Sequence, residues 1–342
     1  MRLVTYRQGK SGRLGALHCD WVVDLQRAEP FYYQAVTGAP PPRHARLPSN
    51  MLDFLRMGPP ALETARRLLD YVQELNSPAE REALIHARAL IPFSQVILTT
   101  PIPRPGKIIC IGANYPSGQA DCAPPAYPTV FLKPSSGLIG SGEPIRLPPI
   151  TRDVAYEAEL VVVIGSRAKY LSIENAPDCI VGYSQANDIG ARDLEKRTSQ
   201  WTSGKIMDTF CPIGPALVTA DEVLDPGHLP LTTLLNGRMV QHSNTQDMYF
   251  NIPFLISYLS QLTTLEPGDL ILTGSPKTID GQPAPLLSLK PGDCVEIQIG
   301  NLGNLRNPVI AEAEEGVPRK ITPHPWRSRS IDRRARGGHL WQ

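Results

Sequence analysis

From about residue 100 onward the chain is cut into short apolar runs divided by Gly, Pro and Asp, and this punctuation limits the fold more than any other feature. The runs lie at 107–112, 129–133, 158–164, 231–236, 270–273 and 294–299. Two are preceded by the same Pro-Gly-Asp turn, at 267–269 and 291–293, a device for turning a chain into a strand. Helical patterns are few: a short one capped by Ser172 and a longer one over 251–262. With 35 prolines also opposing long helices, the pattern predicts a β-rich sandwich or roll rather than a doubly wound sheet.

The first hundred residues read differently. "RLVTYRQ", "RLGALHC" and "DWVVDLQ" alternate and turn as a small antiparallel sheet. Ser49 is placed to cap "NMLDFLRM", and Pro60 to open "ALETARRLLDYVQEL", where Ala65, Leu69 and Val72 fall at helical spacing. A strand and Pro-rich linker, "LIPFSQVILTTPIPRPG", follow. The expected organisation is a small N-terminal α/β domain over 1–100, a larger domain over 101–312, and a tail over 313–342. From Arg319 that tail holds seven Arg or Lys against one Asp, a composition that predicts disorder rather than a nucleic-acid site.

A formal net charge of +1 gives no global field to recruit nucleic acid or acidic membranes. No 18 apolar residues run together and the start has no apolar leader segment, so no membrane partner is expected. The cysteines at 19, 110, 122, 179, 211 and 294 form no C-x-x-C pair and read as free thiols of a reducing compartment, which predicts a cytoplasmic location.

Chemistry concentrates in "VAYEAELVVVIG". Residues two apart on a strand face the same way, so Glu157 and Glu159 project from one face about 7 Å apart along the backbone. A solvated strand end is one reading. The apolar run that follows favours another, because two carboxylates beside a covered region repel unless a cation or protons intervene. Asp188, and Asp193 nearby, follow a second apolar run in "GYSQANDIGARD". Three hard oxygen donors suit Mg²⁺, Mn²⁺ or Ca²⁺ better than zinc, and no histidine occurs between 87 and 227 to build a zinc site. Lys133, Arg192 and Lys205 add cations, so the combination predicts a pocket for a small, anionic, oxygen-rich substrate.

In order and spacing, "KIICIGANY", "FLKPSS", "YEAELVVVIG", "GYSQANDIGARDLE", "QWTSGKIMDTFCPIGP", "SNTQDM" and "LEPGDLILTGSP" resemble the fumarylacetoacetate hydrolase superfamily over roughly 105–310. The resemblance implies an α+β, β-rich fold, a mixed β-sandwich roll, acting as a homodimer with Mg²⁺, Mn²⁺ or Ca²⁺. It makes Glu157, Glu159 and Asp188 the metal ligands. Lys205 and Lys133 become catalytic or substrate-oxygen-binding groups, and Arg192, Tyr115, Gln185, Thr273 and Gly274 line the substrate pocket. Implied substrates are 2-oxo acids and 1,3-dicarbonyls, with hydrolysis, decarboxylation or tautomerisation through a metal-stabilised enolate.

The sequence departs from that pattern at one informative place. Hydrolytic members carry N-Y-x-x-H-x-x-E on a lid, whereas "NYPSGQAD" has Gly118 for the histidine and Asp121 for the glutamate. Losing a positioned general base costs about 10²–10⁴-fold, which water attack tolerates less well than enolisation. A non-hydrolytic enzyme is therefore expected, a tautomerase, decarboxylase or biosynthetic lyase or cyclase. The alternatives are a C–C hydrolase using Asp121 or a histidine such as His242 as base, and a metal-stapled binding protein. Glu195 in place of a glutamine after "ARDL", and "GSPKTID" in place of "GTPAGVG", are smaller departures.

Overall fold

The structure, a computed structural model, describes residues 1–9, 11–117, 124–284 and 287–312. Gly118, Asp121 and the basic tail lie outside the described residues.

Two large sheets dominate, as the β-rich reading predicts. The longer, of eleven strands among the described residues, runs Leu90–Pro92, Trp21–Asp24, Ser11–His18, Arg2–Gln8, Cys211–Thr219, Ile180–Asn187, Ala158–Ile164, Leu270–Leu272, Ile108–Gly112, Thr129–Leu132, with Leu138–Ile139 beside Cys211–Thr219. The N-terminal strands thus extend the large sheet, Arg2 facing Val218 and Leu3 facing Leu217 across an antiparallel pair. A second sheet of seven strands is centred on Pro230–Leu235, Cys294–Ile299 and Asn304–Ala311.

Ala158–Ile164 is buried at all seven positions, and its alternation divides the interior. Val161 and Val163 join a core with Phe54, Leu68 and the other apolar faces of the N-terminal helices. Ala158, Leu160, Val162 and Ile164 join a second core with Leu255, Ile256 and Leu259 of helix Ile252–Leu262 and with Ile297 and Ile299 of the second sheet. A strand covered on both faces has no solvent side, which is why its sequence is an unbroken apolar run.

The helix starts differ from expectation by one residue. Asn50, not Ser49, caps Met51–Arg56: its side chain accepts from the Asp53 N–H, while the Ser49 carbonyl is taken by Leu14 N–H at 2.7 Å. Pro59, not Pro60, opens the helix that runs to Glu74. Ser172 accepts from Asn175 N–H at 3.4 Å, ahead of a short turn of helix at Ala176–Cys179. An additional helix, Pro78–His86, is capped by Ser77. Among the described residues no helix is long and apolar enough to cross a membrane, and the five described cysteines are free thiols.

Both Pro-Gly-Asp turns close alike. Asp269 accepts from Glu266 N–H at 2.8 Å and Asp293 from Lys290 N–H at 2.7 Å, each carboxylate satisfying the donor three residues back. Asp269 differs in being fully buried, where it also accepts from Lys107 N–H at 2.9 Å and pairs with Lys107 Nζ at 2.6 Å. Asp269→Ala strands these donors and is expected to cost about 3–5 kcal/mol of unfolding free energy, against under about 1 kcal/mol for Asp293→Ala. Parallel denaturant melts of the two variants check the difference.

Candidate active site

Strand register assembles the acidic cluster. Ala158 lies opposite Asn187 and Glu159 opposite Ala186, so Asp188, one step beyond the strand end, comes alongside Glu157. Asp188 N–H donates to the Glu157 carbonyl at 2.8 Å and the Asn187 side chain accepts from Glu157 N–H at 2.9 Å. Glu157, Glu159 and Asp188 thereby offer three carboxylate oxygens within 4.8 Å of one another. Glu157 precedes the strand proper yet keeps the same facing as Glu159.

Two lysines brace this cluster. Lys205 ends the short helix Thr202–Lys205, which the sequence reading did not anticipate; its Nζ donates to Glu157 Oε2 at 2.7 Å and to the Asp188 carbonyl at 2.9 Å. Lys133 Nζ, wholly sealed from solvent, donates to Asp188 Oδ1 at 2.6 Å and to the Ile189 carbonyl at 3.0 Å. Glu159 is oriented from the other side by Gly274 N–H at 2.7 Å. That loop needs glycine: φ at Gly274 is +101°, and a Cβ there would stand 2.7 Å from the Asn114 Cβ. Asn114 in turn ties the "GANY" bend to Thr273 O at 2.8 Å and Phe250 O at 3.0 Å.

The electrostatics follow from three acids, Glu159 and Asp188 buried and Glu157 half-buried, against two buried amines. Burial, then the charges of Asp188 and Glu157, pushes the Glu159 carboxyl well above the usual carboxylate range. Burial opposes charge on Asp188 as well, but Lys133 and Lys205 outweigh it and hold that carboxyl low. For Lys205 burial works against the ammonium; Asp188, Glu157 and Glu195 overcome it and keep the amine charged far above its ordinary range. Nearby Cys211 is pushed up to about 12 by burial, so it is an inert thiol. One acceptor is left over: Asp188 Oδ2 is buried with no hydrogen bond among the described residues, Lys205 Nζ lying 3.1 Å away as an ion pair outside hydrogen-bonding geometry. An orphan oxygen among three convergent hard donors, one positive charge short of neutrality, fits a divalent cation.

The acids open into a cavity of about 340 Å³, a volume suited to a small metabolite. Phe131, Arg192, Glu195, Trp201 and Lys277 complete its walls. Trp201 stands edge-on to Phe131 at 6.0 Å and occupies the space a Cβ on Gly112 would need.

Several expected pocket residues turn out to support the site from behind. Lys133 is not among the residues that line the cavity; two of its donors go to Asp188 and the Ile189 carbonyl, so it serves Asp188 as a buried counter-ion. Gln185 is buried and staples the two sheets, donating to Gly303 O at 2.7 Å and accepting from Ile299 N–H at 2.9 Å. Thr273 donates to Leu160 O at 3.0 Å, and Tyr115 is buried, its hydroxyl without a partner among the described residues and its pKa raised by burial and then by Glu159. Arg192 does line the cavity, with Nε on Asp153 Oδ1 at 2.9 Å and a further bond to Ser288 Oγ at 3.0 Å. His242 does not: it faces a neighbouring cavity beside Pro116 and contacts Thr232 Oγ1 at 3.0 Å. Glu195, Trp201, Phe131 and Lys277 were not assigned to the site from sequence. Only the departures at Glu195 and in "GSPKTID" signalled two of them.

A β roll that brings three carboxylates and a buried lysine to a small cavity has the makings of an enzyme site able to hold a metal ion. Residues 107–310 match the family model "Fumarylacetoacetate (FAA) hydrolase C-terminal". The chain is 41% identical over 268 residues to the Xenopus laevis protein named oxaloacetate tautomerase fahd2, mitochondrial, covering 77% of this chain and 79% of that one. It is 36% identical over 326 residues to a fumarylacetoacetate hydrolase domain-containing protein 2 homolog of Dictyostelium discoideum, covering 90% and 97%. Among solved structures, maleylpyruvate hydrolase of Sphingobium sp. SYK-6 in complex with manganese(II) ion and pyruvate is 31% identical, with a TM-score of 0.63 over 92% of this chain and all of that one. The 2-hydroxyhepta-2,4-diene-1,7-dioate isomerase of Mycobacterium marinum is 29% identical, with a TM-score of 0.65 over 92% and 100%. The chain belongs to the fumarylacetoacetate hydrolase family and is an enzyme of it.

Replacing an outer-shell partner of a metal typically costs 10–100-fold in affinity, and a ligand should cost more. Asp188→Asn is accordingly expected to weaken Mn²⁺ binding at least about 100-fold in calorimetric titration. Lys133→Met, which strands a buried carboxylate, should lower the unfolding free energy of the metal-free protein by about 3–5 kcal/mol, read by denaturant melts.

Proposed function

We propose that the protein interconverts the keto and enol forms of a small 2-oxo dicarboxylic acid, with oxaloacetate as its substrate and Mg²⁺ held by Glu157, Glu159 and Asp188. The observation that carries this reading is a complete carboxylate–lysine cluster in a cavity that no histidine among the described residues lines. Water attack on a ketone needs a positioned base; tautomerisation needs only a proton moved between carbon and oxygen and a place to hold the charge in transit. The names of the Xenopus laevis and Rattus norvegicus relatives, both oxaloacetate tautomerases, support the same chemistry.

When bound, the cation supplies Lewis-acid charge that lowers the cost of negative charge on the 2-oxo oxygen. The chain's residues do the rest. Lys205, kept protonated by its acidic neighbours and fixed by two short hydrogen bonds, presents preorganised positive charge to the developing enolate. Phe131 and Trp201 form an apolar wall that narrows the site's contact with water. Lys277 lines the cavity and has no carboxylate within ion-pair distance among the described residues, so it serves the second carboxylate of the substrate together with Arg192. We also propose that the enzyme is a homodimer in a reducing compartment such as the cytoplasm. The dimer is supported by the exposed Val130 and Leu132 on the edge strand Thr129–Leu132, and the compartment by the free thiols.

Enol-oxaloacetate mixed with protein and Mg²⁺ tests the reading, with enol absorbance and pyruvate release followed separately. The expected result is enol decay accelerated at least about 100-fold without pyruvate. Pyruvate release would reassign the enzyme as a decarboxylase, and cleavage of an acylpyruvate as a hydrolase. Silence on every 2-oxo acid tried would leave a binding protein. Lys277→Met is expected to raise KM for oxaloacetate about 10-fold, with kcat within about 3-fold, measured in the same assay.

A further inference from the structure

Glu195, alone among the acids that line the cavity, belongs neither to the metal cluster nor to an ion pair. It ends the short helix Arg192–Glu195, and its side chain lies in a slot made by two glycines. A Cβ on Gly190 would fall 2.0 Å from Glu195 Oε1, and one on Gly204 would fall 2.5 Å from Glu195 Cγ. The same Gly190 position would meet Lys205 Nζ at 3.1 Å, so carboxyl and amine flank one glycine on one wall of the cavity. Yet the two form no ion pair, and Glu195 Oε1 is buried without a hydrogen-bond partner among the described residues.

A purely structural carboxylate would have both oxygens capped, paired or solvated; a half-buried one with an oxygen buried and unpartnered at a reactive cavity is a candidate for chemistry. The surroundings suit proton exchange. Burial first, then the charges of Glu157 and Asp188, raise the carboxyl above its usual range, and Lys205 restrains that rise, so the group is poised to give and take a proton.

We propose that Glu195 is the catalytic acid–base of this site, exchanging a proton with C3 of the bound 2-oxo acid; the proposal rests on the tautomerase reading. In the ketonising direction the Glu195 O–H donates its proton to C3. The C2=C3 electron pair becomes the new C3–H bond, and the O2–H pair becomes the C=O π bond. The O2 proton leaves to cavity water, which returns one to Glu195. Nothing is oxidised or reduced, and the carboxyl ends as it began. An amide in the slot would keep the shape and lose the proton.

The test compares wild type, Glu195→Gln and Glu195→Ala. Three quantities are read: enol-oxaloacetate ketonisation, deuterium uptake from D₂O at C3 of pyruvate by proton NMR, and Mn²⁺ affinity by calorimetry. Glu195→Gln is expected to lower kcat and deuterium uptake at least about 100-fold, with KM, Mn²⁺ affinity and the melting midpoint near wild type. Glu195→Ala should be equally slow and recover at least about 10-fold when formate fills the emptied slot. Retention of wild-type exchange in Glu195→Gln overturns the proposal. So does a loss that follows Mn²⁺ affinity or the melting midpoint and that formate does not rescue in Glu195→Ala. A wild type that exchanges no proton on any 2-oxo acid rejects the tautomerase reading, and this proposal with it. A wild type and Glu195→Gln of equal activity reject the role of Glu195 alone.

Discussion

Asp188 held between two buried lysines is the interaction on which the rest of the site depends. Burying any one of these ions alone would be prohibitive, and their mutual attraction offsets desolvation only while the geometry is held to within a hydrogen bond. Lys133 follows the strand Thr129–Leu132, and Lys205 ends a short helix 72 positions later in the chain. Asp188 is therefore where three distant segments are made to agree. The arrangement still leaves more carboxylate than ammonium, and that imbalance gives a divalent cation a reason to bind.

The fold exists to keep that agreement rigid. Ala158–Ile164 and Ile180–Asn187 are wedged between two apolar cores, so neither strand can slip by a residue without exchanging every side chain between cores. Gln185 locks one strand to the second sheet, and Gly274 holds Glu159 through a main-chain donor that no side-chain substitution can remove. Rigid support of this kind would let a small charge-dense site accept a metal ion with little rearrangement.

Elements and ligands were legible in the sequence to different degrees, for physical reasons. A strand with two covered faces announces itself as an apolar run, and 158–164 is matched to the residue; 294–299 is matched too, but by alternation of buried and half-buried positions. The acids of the cluster were legible because carboxylates beside a buried apolar run must meet a cation or a proton. What sequence could not supply was which way a buried cation points. Lys133 follows an apolar strand and Lys205 ends a short helix, yet it is Lys133 that is sealed behind Asp188 and Lys205 that lines the cavity. Gln185 and Thr273 likewise lie in motifs of the site while spending their hydrogen bonds on the scaffold. The short helices carrying Arg192, Glu195 and Lys205 were missed because four residues give no periodicity to detect.

The glycine at 118 then bears on what such a scaffold can still do. A lost general base raises a barrier by about 3–5 kcal/mol, and a metal site cannot lower that barrier by binding substrate more tightly, since only interactions stronger in the transition state count. Enolisation needs no attacking water; its barrier is dominated by charge on one oxygen and transfer of one proton. On the proposed reading the first demand would fall to Lys205 and a cation held by the acids, and the second needs only a titratable group within reach of C3. A cavity that carries a carboxyl at position 195, rather than an amide, then offers such a group without the missing histidine. On the proposed reading, selectivity passes to other groups of the cavity wall, where Arg192 is oriented by Asp153 and Ser288 and Lys277 also lines the space.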